Sequence, residues 1–575
     1  MQFELTLPHI TGWSLFLLLG TLFLLVPFIV AVYKAAVAPS KIASYPGPGV
    51  RHWFLGSYPD RPPLTGRTVQ AIHDSIRQYG RVFGMVHVGR QPVIVVADYA
   101  AVTQVLLKSP WPKPFANIHL VRRFVGRGLL GEEGSVHRRQ RKVAFGSFAI
   151  QPAFTKEAVY AMSADIREKC ELLVKRLGQE VDSAPSGEVA INIVERWNKL
   201  ALDVIAKVGF GYELNALLDP DASTTLEDAY SSILKCMSTG SRYAGFRHRL
   251  GPRFEQLGRL IGVREQVKLD QAKVTIADIG RELVERAKAQ YAGKDGEKEA
   301  SMREEGNDLL SLMVKANMSA ELKPQQRLSD EELMDMIPTF LFAGHETSTS
   351  SLSWTSMALT QPGHGLVVQK RLRQELLAAS ASEWRTSAQD LDSLPYLDAV
   401  VRETLRLHAP VRYLMRTAAR DEVLHLGRPV VLNGVEKSEI VVKKGVQITF
   451  PLHYMNCDVE TWGPDGYEFR PERWLAEDHE HYSGGLASQP DIKAVWSSLM
   501  SFGLGPTNCI GQRVATLELK LGLATVLSEF EFLPLEDGKS PEFDFLHGIV
   551  ARPIVVGQEK KGAQVPIRIR RARTE

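Results

Sequence analysis

Residues 501–511 read Ser-Phe-Gly-Leu-Gly-Pro-Thr-Asn-Cys-Ile-Gly, and the pattern that follows them decides how the chain is read. From Gln512 to Phe530 the periodicity is helical, with Val514, Leu517, Leu521, Leu523 and Leu527 apolar. Cys509 therefore stands at the mouth of a helix. The partial positive charge there lowers a thiol pKa and favours the thiolate. Glycines at 503, 505 and 511 let backbone come close, so that amide N–H groups can face the sulfur. A metal-ligating thiolate needs such surroundings. A lone cysteine is otherwise a small buried hydrophobe, but the glycine-rich approach with a helix directly behind it favours a ligand.

Upstream, Ser329 and Glu332 form a capping box, with Asp330 and Glu331 suited to a helix N-terminus. The helix they open is expected to run to Thr360, where Gln361-Pro362 stops it. At ~1.5 Å per residue it is about 46 Å long, enough to cross a domain. Its middle reads Ala343-Gly344-His345-Glu346-Thr347-Ser348. His345-Glu346 does not begin a HExxH zinc site, because Thr349 stands where the second histidine must be. Glu403 and Arg406 lie three apart on another predicted helix, so carboxylate and guanidinium share a face. A basic stretch, His137 to Lys142, reads as a solvated face or an anion contact.

Taken together, Phe502-x-x-Gly505-x-x-x-Cys509-x-Gly511, the Glu403-x-x-Arg406 pair, Phe469-Arg470-Pro471-Glu472-Arg473-Trp474 and the Ala343–Thr347 element resemble the ordered motifs of cytochrome P-450 monooxygenases. The resemblance covers about residues 45–560. It implies Cys509 as the axial thiolate of haem b, with Phe502 beside it, and a buried charge triangle of Glu403, Arg406 and Arg473 locking the loop that leads to Cys509. It implies Glu346 and Thr347 as an acid–alcohol pair delivering protons to dioxygen. Thr347 can bond back to Ala343, and Gly344 leaves room for a diatomic ligand. His137, Arg141 and Arg416 match contacts to the haem propionates, with His137 in place of the family's usual tryptophan. One departure stands out: Thr507 occupies the position that usually holds Arg or His for a propionate, so other cations must compensate. Arg138, Arg139 and Lys142 are a solvated face or a docking patch for an acidic redox partner.

The resemblance implies a mainly α fold with small β-sheets, an α+β arrangement that the patterning also supports. An amphipathic helix near 68–79 precedes strand-like runs at Arg81–His87 and Pro92–Ala97; residues 155–290 read as mostly helical; 291–307 is a polar loop; strand signals return in 411–450; turns fill 453–508. Gly126 to Gly131 matches GxGxxG, but Asn117–Arg123 before it is not strand-like, so the match is taken as chance.

Composition agrees with a globular enzyme. The 575 residues are 44% hydrophobic and 23% charged, and 69 Lys+Arg against 66 Asp+Glu leave a net charge of +3, too small for a nucleic-acid binder. Four cysteines without CxxC spacing exclude a disulfide scaffold or structural zinc. Ile10 to Val32 is uncharged for 23 residues and followed by Lys34, Lys41 and Arg51. This predicts a single-pass anchor over 1–33 rather than a cleaved signal, with the remainder cytosolic on the endoplasmic reticulum membrane. Residues 34–50 read as a Pro/Gly hinge and 51–575 as the catalytic domain. With no nicotinamide or flavin module, electrons are expected from NADPH-cytochrome P-450 reductase, with cytochrome b5 a second donor.

The expected substrate is a lipophilic small molecule, with terpenoid or other fungal secondary metabolism favoured over fatty-acid or xenobiotic hydroxylation. The family's substrate-recognition segments place Phe115, Ile118, Leu120, Phe340, Phe342, Ala343, Val411, Tyr413, Leu414, Leu546, Ile549 and Val550 around the pocket. A non-oxygenating isomerase or dehydratase, or a non-catalytic haem or lipid binder, would not need Glu346-Thr347.

Overall fold

The computed structural model describes residues 38–51, 56–57, 67–87, 90–108, 111–145, 154–218, 228–229, 232–233, 259, 264–292, 308–318, 322–379, 385, 387–475, 499–546 and 549–572. The expected anchor, Ile10 to Val32, lies outside them. Among the described residues no helix is long and apolar enough to cross a membrane.

The longer helices are α1 (Arg67–Tyr79), α2 (Phe115–Val125), α3 (Gly134–Phe145), α4 (Ser163–Asp182), α5 (Ile193–Phe210), α6 (Arg264–Ala292), α7 (Leu309–Met318), α8 (Asp330–Leu359), α9 (His364–Ala378), α10 (Pro395–Leu407) and α11 (Gln512–Glu529). The strands are β1 (Val82–His87), β2 (Gln91–Val96), β3 (Glu188–Asn192), β4 (Tyr413–Thr417), β5 (Glu422–Leu432), β6 (Val435–Val442), β7 (Gln447–Pro451), β8 (Phe530–Pro534), β9 (Phe543–Leu546), β10 (Arg552–Val555) and β11 (Pro566–Arg571).

Helix α8 is the axis of the helical core. Ser329 Oγ accepts from Glu332 N at 3.2 Å and Ser329 N donates to the Glu332 carboxylate at 3.0 Å, completing the capping box. The helix ends with Thr360 as its C-cap. Its C-terminal half is buried although rich in serine and threonine. Several hydroxyls donate one turn back, Thr347 to Ala343 O at 2.6 Å, Ser351 to Thr347 O at 2.9 Å and Ser353 to Thr349 O at 2.6 Å. Alongside, α5 packs against it, and α4 and α11 close the bundle. Trp197 of α5 is fully buried and donates to Ser356 Oγ at 2.9 Å.

The second core surrounds a four-stranded sheet of order β1-β2-β7-β4. β1 and β2 are antiparallel with Val82 opposite Val96, and β2 runs parallel to β7 with Val93 opposite Gln447. Both are covered on each face, which is why PVIVV is an unbroken apolar run rather than an alternating one. β5 and β6 form a hairpin turned by Asn433 and Gly434, both at positive φ as a two-residue reverse turn requires.

Folding adds two features to the sequence reading. The helical reading of 155–290 contains a strand, β3, which pairs with β11 in a sheet of order β3-β11-β8. The described part of the expected Pro/Gly hinge is docked on the body. Ile42 is buried in the sheet core, Tyr45 Oη donates to Val441 O at 2.6 Å, Lys41 Nζ to Lys444 O at 2.8 Å, and Gly84 N to Pro46 O at 2.8 Å. A Cβ on Gly47 would sit 1.9 Å from Gly84 O, so only glycine fits that crossing. Asn317, in the Asn-Met-Ser sequon, is buried and exchanges hydrogen bonds with the Leu328 backbone, leaving its amide no room for a glycan.

Candidate active site

The loop before α11 is built by two tight turns. Gly503 and Gly505 lie at φ 70° and 73°, the left-handed region. A Cβ on Gly505 would also meet Leu106 O at 2.8 Å. Gly511 has neither constraint, so its part is different from the other two: its N–H donates to the Cys509 sulfur. Cys509 N donates to Phe502 O at 2.7 Å, and Phe502 packs at the edge of the helical core. The Cys509 side chain is accessible yet ringed by protein. Burial pushes the thiol up, against the lowering influence of the Gly511 N–H and Arg141. The expected net depression is thus corrected: the Gly511 N–H and the Arg141 charge do not offset desolvation of the thiolate.

Cations converge on this loop. Arg141 of α3 donates through Nη1 to Asn508 O at 2.7 Å and through Nη2 to the Asn508 side chain. Arg416 of β4 is buried, and its Nη2 donates to Thr507 Oγ1 at 3.1 Å. His137 of α3 is buried; desolvation first, then Lys113, Arg141 and Arg138, push its pKa down to about 4. Burial and Arg416 push Lys113 down to about 8. His137 is thus lowered by three neighbouring cations and Lys113 by Arg416, while Glu133 acts in the opposite sense on both Lys113 and Arg416. A basic cluster of this kind beside an accessible thiol suits a flat, dianionic, thiolate-ligated group, so the donor set fits haem. Lys113 belongs to no motif; only tertiary packing brings it here.

The triangle of Glu403, Arg406 and Arg473 forms. Glu403 Oε1 and Oε2 accept from Arg406 Nη2 and Nε at 2.7 and 2.8 Å, and Oε1 accepts from Arg473 Nε at 2.9 Å. Arg470 N and Trp474 Nε1 complete the shell at 2.8 and 2.9 Å. Burial alone would raise the carboxyl, but the two guanidiniums hold it below its ordinary value. Arg406 also donates to Asn456 O at 2.7 Å, and Asn456 Nδ2 donates to Ser501 Oγ at 3.2 Å. Ser501 Oγ donates in turn to Leu405 O at 2.6 Å, joining the triangle to the start of the cysteine loop.

On α8, Thr347 makes its back-bond to Ala343. The room expected beside Gly344 is taken: a Cβ there would meet the Ile205 side chain at 2.8 Å, so this glycine serves the close packing of α8 on α5. Glu346 is not free to face an open groove. It accepts from Arg552 Nη2 at 2.5 Å and lies 3.4 Å from His345 Nδ1, while Asn198 Oδ1 bridges His345 Nε2 at 2.9 Å and Arg552 at 3.3 Å. Burial opposes ionisation, yet Arg552 and His345 together hold the carboxyl below its usual range. Ser348 Oγ meets Glu518 at 2.5 Å, linking α8 to α11; burial pushes Glu518 up to about 8.

Of the expected pocket positions, Ile118, Phe340, Phe342 and Val550 are buried, and Leu120, Val411, Tyr413, Leu414 and Ile549 partly so. Phe115 is 75% exposed and stacks on His119, so it does not form part of an enclosed lining. Arg139 is engaged by Glu332 at the start of α8 rather than offered to a partner. The GxGxxG stretch follows a helix, not a strand, and Gly128 lies against α8, where a Cβ would meet Asp335 O at 2.3 Å; this is packing, not a nucleotide loop.

With thiol loop, buried triangle and central helix in place, comparison with known proteins gives one answer. The cytochrome P450 family model matches residues 46–556, and the chain belongs to that family of haem-thiolate oxidoreductases. It is 33% identical over 542 residues to cytochrome P450 monooxygenase 128 of Postia placenta, covering 92% of each chain. It is 30% identical over 508 residues to cytochrome P450 monooxygenase claQ of Ampulloclitocybe clavipes, covering 87% of this chain and 88% of the other. A crystal structure of a cytochrome P450 superposes with a TM-score of 0.67 at 22% identity, over 88% of this chain and 98% of that one.

Proposed function

We propose that the chain is a membrane-anchored monooxygenase of fungal secondary metabolism, acting on a lipophilic substrate of terpenoid character. The observation that carries the reading is the accessible Cys509 thiol, with Arg141 bonded to Asn508 and Arg416 to Thr507 on the same loop and His137 and Lys113 beside them. Bound there, haem b supplies dioxygen activation and insertion of one oxygen atom, with electrons from NADPH through a separate reductase, cytochrome b5 serving as a second donor. Cys509 would hold the iron as thiolate, with the Gly511 N–H supporting its charge. Arg141, Arg416 and His137 orient the porphyrin through its carboxylates, and Phe502 backs the cysteine. The Glu403–Arg406–Arg473 triangle fixes the loop so that the sulfur does not drift.

Thr347 Oγ1, which donates to Ala343 O, would hold and pass a proton within the pocket. Glu346 supplies the next carboxylate in that chain. Ile118, Phe340, Phe342 and Val550 exclude water and seat an apolar substrate. Residues 1–33 anchor the protein in the endoplasmic reticulum membrane, with 34–50 connecting them to a cytosolic catalytic domain over 51–575.

The test is reconstitution of the full chain with haem, reductase and NADPH. A red-shifted carbon monoxide difference spectrum and dioxygen-dependent turnover of a terpenoid extract support the reading. Turnover without dioxygen would move the protein to the isomerase class, and a histidine-type carbonyl spectrum would remove the thiolate.

A further inference from the structure

Two of the expected pocket-lining segments, 411–414 and 549–550, are far apart in the chain and are rooted in one small core. Strands β9 and β10 form a two-stranded sheet, with Phe543 opposite Val555. Such a ribbon is marginal by itself and takes its position from what it packs on. On the β10 side, directly after Val550, Ala551 is bonded to the body. Its N donates to Pro410 O at 2.9 Å, and its O accepts from Ser350 Oγ at 2.7 Å and Trp354 Nε1 at 3.1 Å. On the β9 side, Phe545 packs with Trp354 and Ala551 in a third core, much smaller than the other two, and Tyr413 lies against it.

Arg412 closes this core. It stands between α10 and β4 and is 4% exposed. Its Cζ lies 4.5 Å from the Phe545 ring centroid and 5.4 Å from that of Trp354. Nη1 donates to His453 Nδ1 at 2.8 Å, while Nε and Nη2 have no hydrogen-bond partner among the described residues. Burial pushes its pKa down to about 10, against the raising influence of Tyr413, Cys457 and Asp544. The basic groups around it are neutral: burial first, then cations that include Arg412, lowers His73, His408 and His453. A guanidinium so sparingly bonded draws its compensation from the charge of Asp544 on β9 and from the negative faces of the two rings. Both sources tie it to the hairpin.

We propose that Arg412 is a positioning residue that determines specificity: by holding Phe545 it fixes the hairpin bearing Ile549 and Val550 against its own segment, which bears Val411 and Leu414, and so sets the size of ligand the pocket takes. This rests on the reading of Cys509 as haem ligand and of these segments as pocket wall.

The test titrates purified full-length holoprotein of wild type, R412K, R412M, F545L and the R412M/F545L pair with imidazole and with 4-phenylimidazole, following the absorbance shift on binding. R412M should bind 4-phenylimidazole about fivefold more weakly, whereas imidazole, too small to reach the wall, should bind as in wild type. R412K keeps a cation over the ring and should stay near wild type. R412M/F545L should be no weaker than F545L, because both changes remove one contact. Unchanged 4-phenylimidazole binding in R412M overturns the proposal. Equal weakening of both azoles makes Arg412 merely structural and overturns it too, as do additive losses in the pair. If R412M does not fold, R412Q, which keeps a donor for His453, takes its place with the same readings. A wild-type protein lacking the thiolate carbonyl spectrum would instead refute the reading of Cys509, before any azole is added.

Discussion

The carboxylate of Glu346 is clamped by Arg552, 206 positions later in the chain, at 2.5 Å between Oε1 and Nη2. The acid of the expected acid–alcohol pair is thus held ionised inside the fold, shared with His345 and, through Arg552, with Asn198. A carboxylate in that position passes a proton only after its guanidinium partner yields.

Replacing Arg552 by methionine should leave Glu346 buried without its main counter-charge. Arg552 and His345 now hold the folded carboxyl below its unfolded value, so its contribution to stability is present above the unfolded pKa and is lost in acid. In R552M desolvation dominates and the folded value rises. The folded state then binds the extra proton, and stability falls as pH rises from the unfolded pKa towards the raised folded one. The Tm gap between wild type and R552M, measured from pH 5 to 8, should widen with pH. A constant gap would mean that Arg552 does not control this carboxylate.

Cys509→Ala should abolish the red-shifted carbon monoxide spectrum while leaving the apoprotein folded, since the side chain is accessible and its loss leaves no core cavity. Far-ultraviolet circular dichroism checks the fold, and the difference spectrum checks the ligand. A retained thiolate-type spectrum would place the ligand elsewhere.

Thr347→Ala should keep that spectrum and raise NADPH oxidation relative to product, because the proton carried by Oγ1 is lost while the helix remains intact. The measurement is the ratio of product formed to NADPH consumed. Full coupling in T347A would remove Thr347 from proton delivery.

Glu403→Gln should destabilise strongly, by about 3–5 kcal/mol, since removing one partner strands buried Arg406 and Arg473. Holoprotein yield and denaturant unfolding should both fall. A loss below about 1 kcal/mol would show that the triangle contributes little to holding the loop.

Gly344→Ala should also destabilise, by about 1–3 kcal/mol, because the added methyl meets Ile205 at 2.8 Å. The pair G344A/I205V should recover part of that loss, as a double-mutant cycle of thermal unfolding would show. Independent effects would place the strain elsewhere.

What the sequence makes legible follows how local the physics is. The cysteine loop, the capping box at Ser329 and the Glu403–Arg406 pair depend on neighbours within a few residues, and each forms where the spacing puts it. β3 and β11 are different. Ile191 finds Ile567 across most of the chain, and both strands are short, so no periodicity marks β3 within a helical region. Arg552 and Lys113 escape for the same reason: each is a single basic residue whose partner is chosen by folding. The space beside Gly344 was misread because a glycine in a sequence does not say whether its missing methyl leaves a void or admits a neighbour.

The strap of residues 38–49 has a practical side. Ile42, Tyr45 and Pro46 are fastened to the sheet and to the β5–β6 hairpin, so this segment is part of the body's packing. A recombinant form trimmed just ahead of residue 38 would keep this clasp, whereas one trimmed at residue 50 would unzip it and bare a greasy socket.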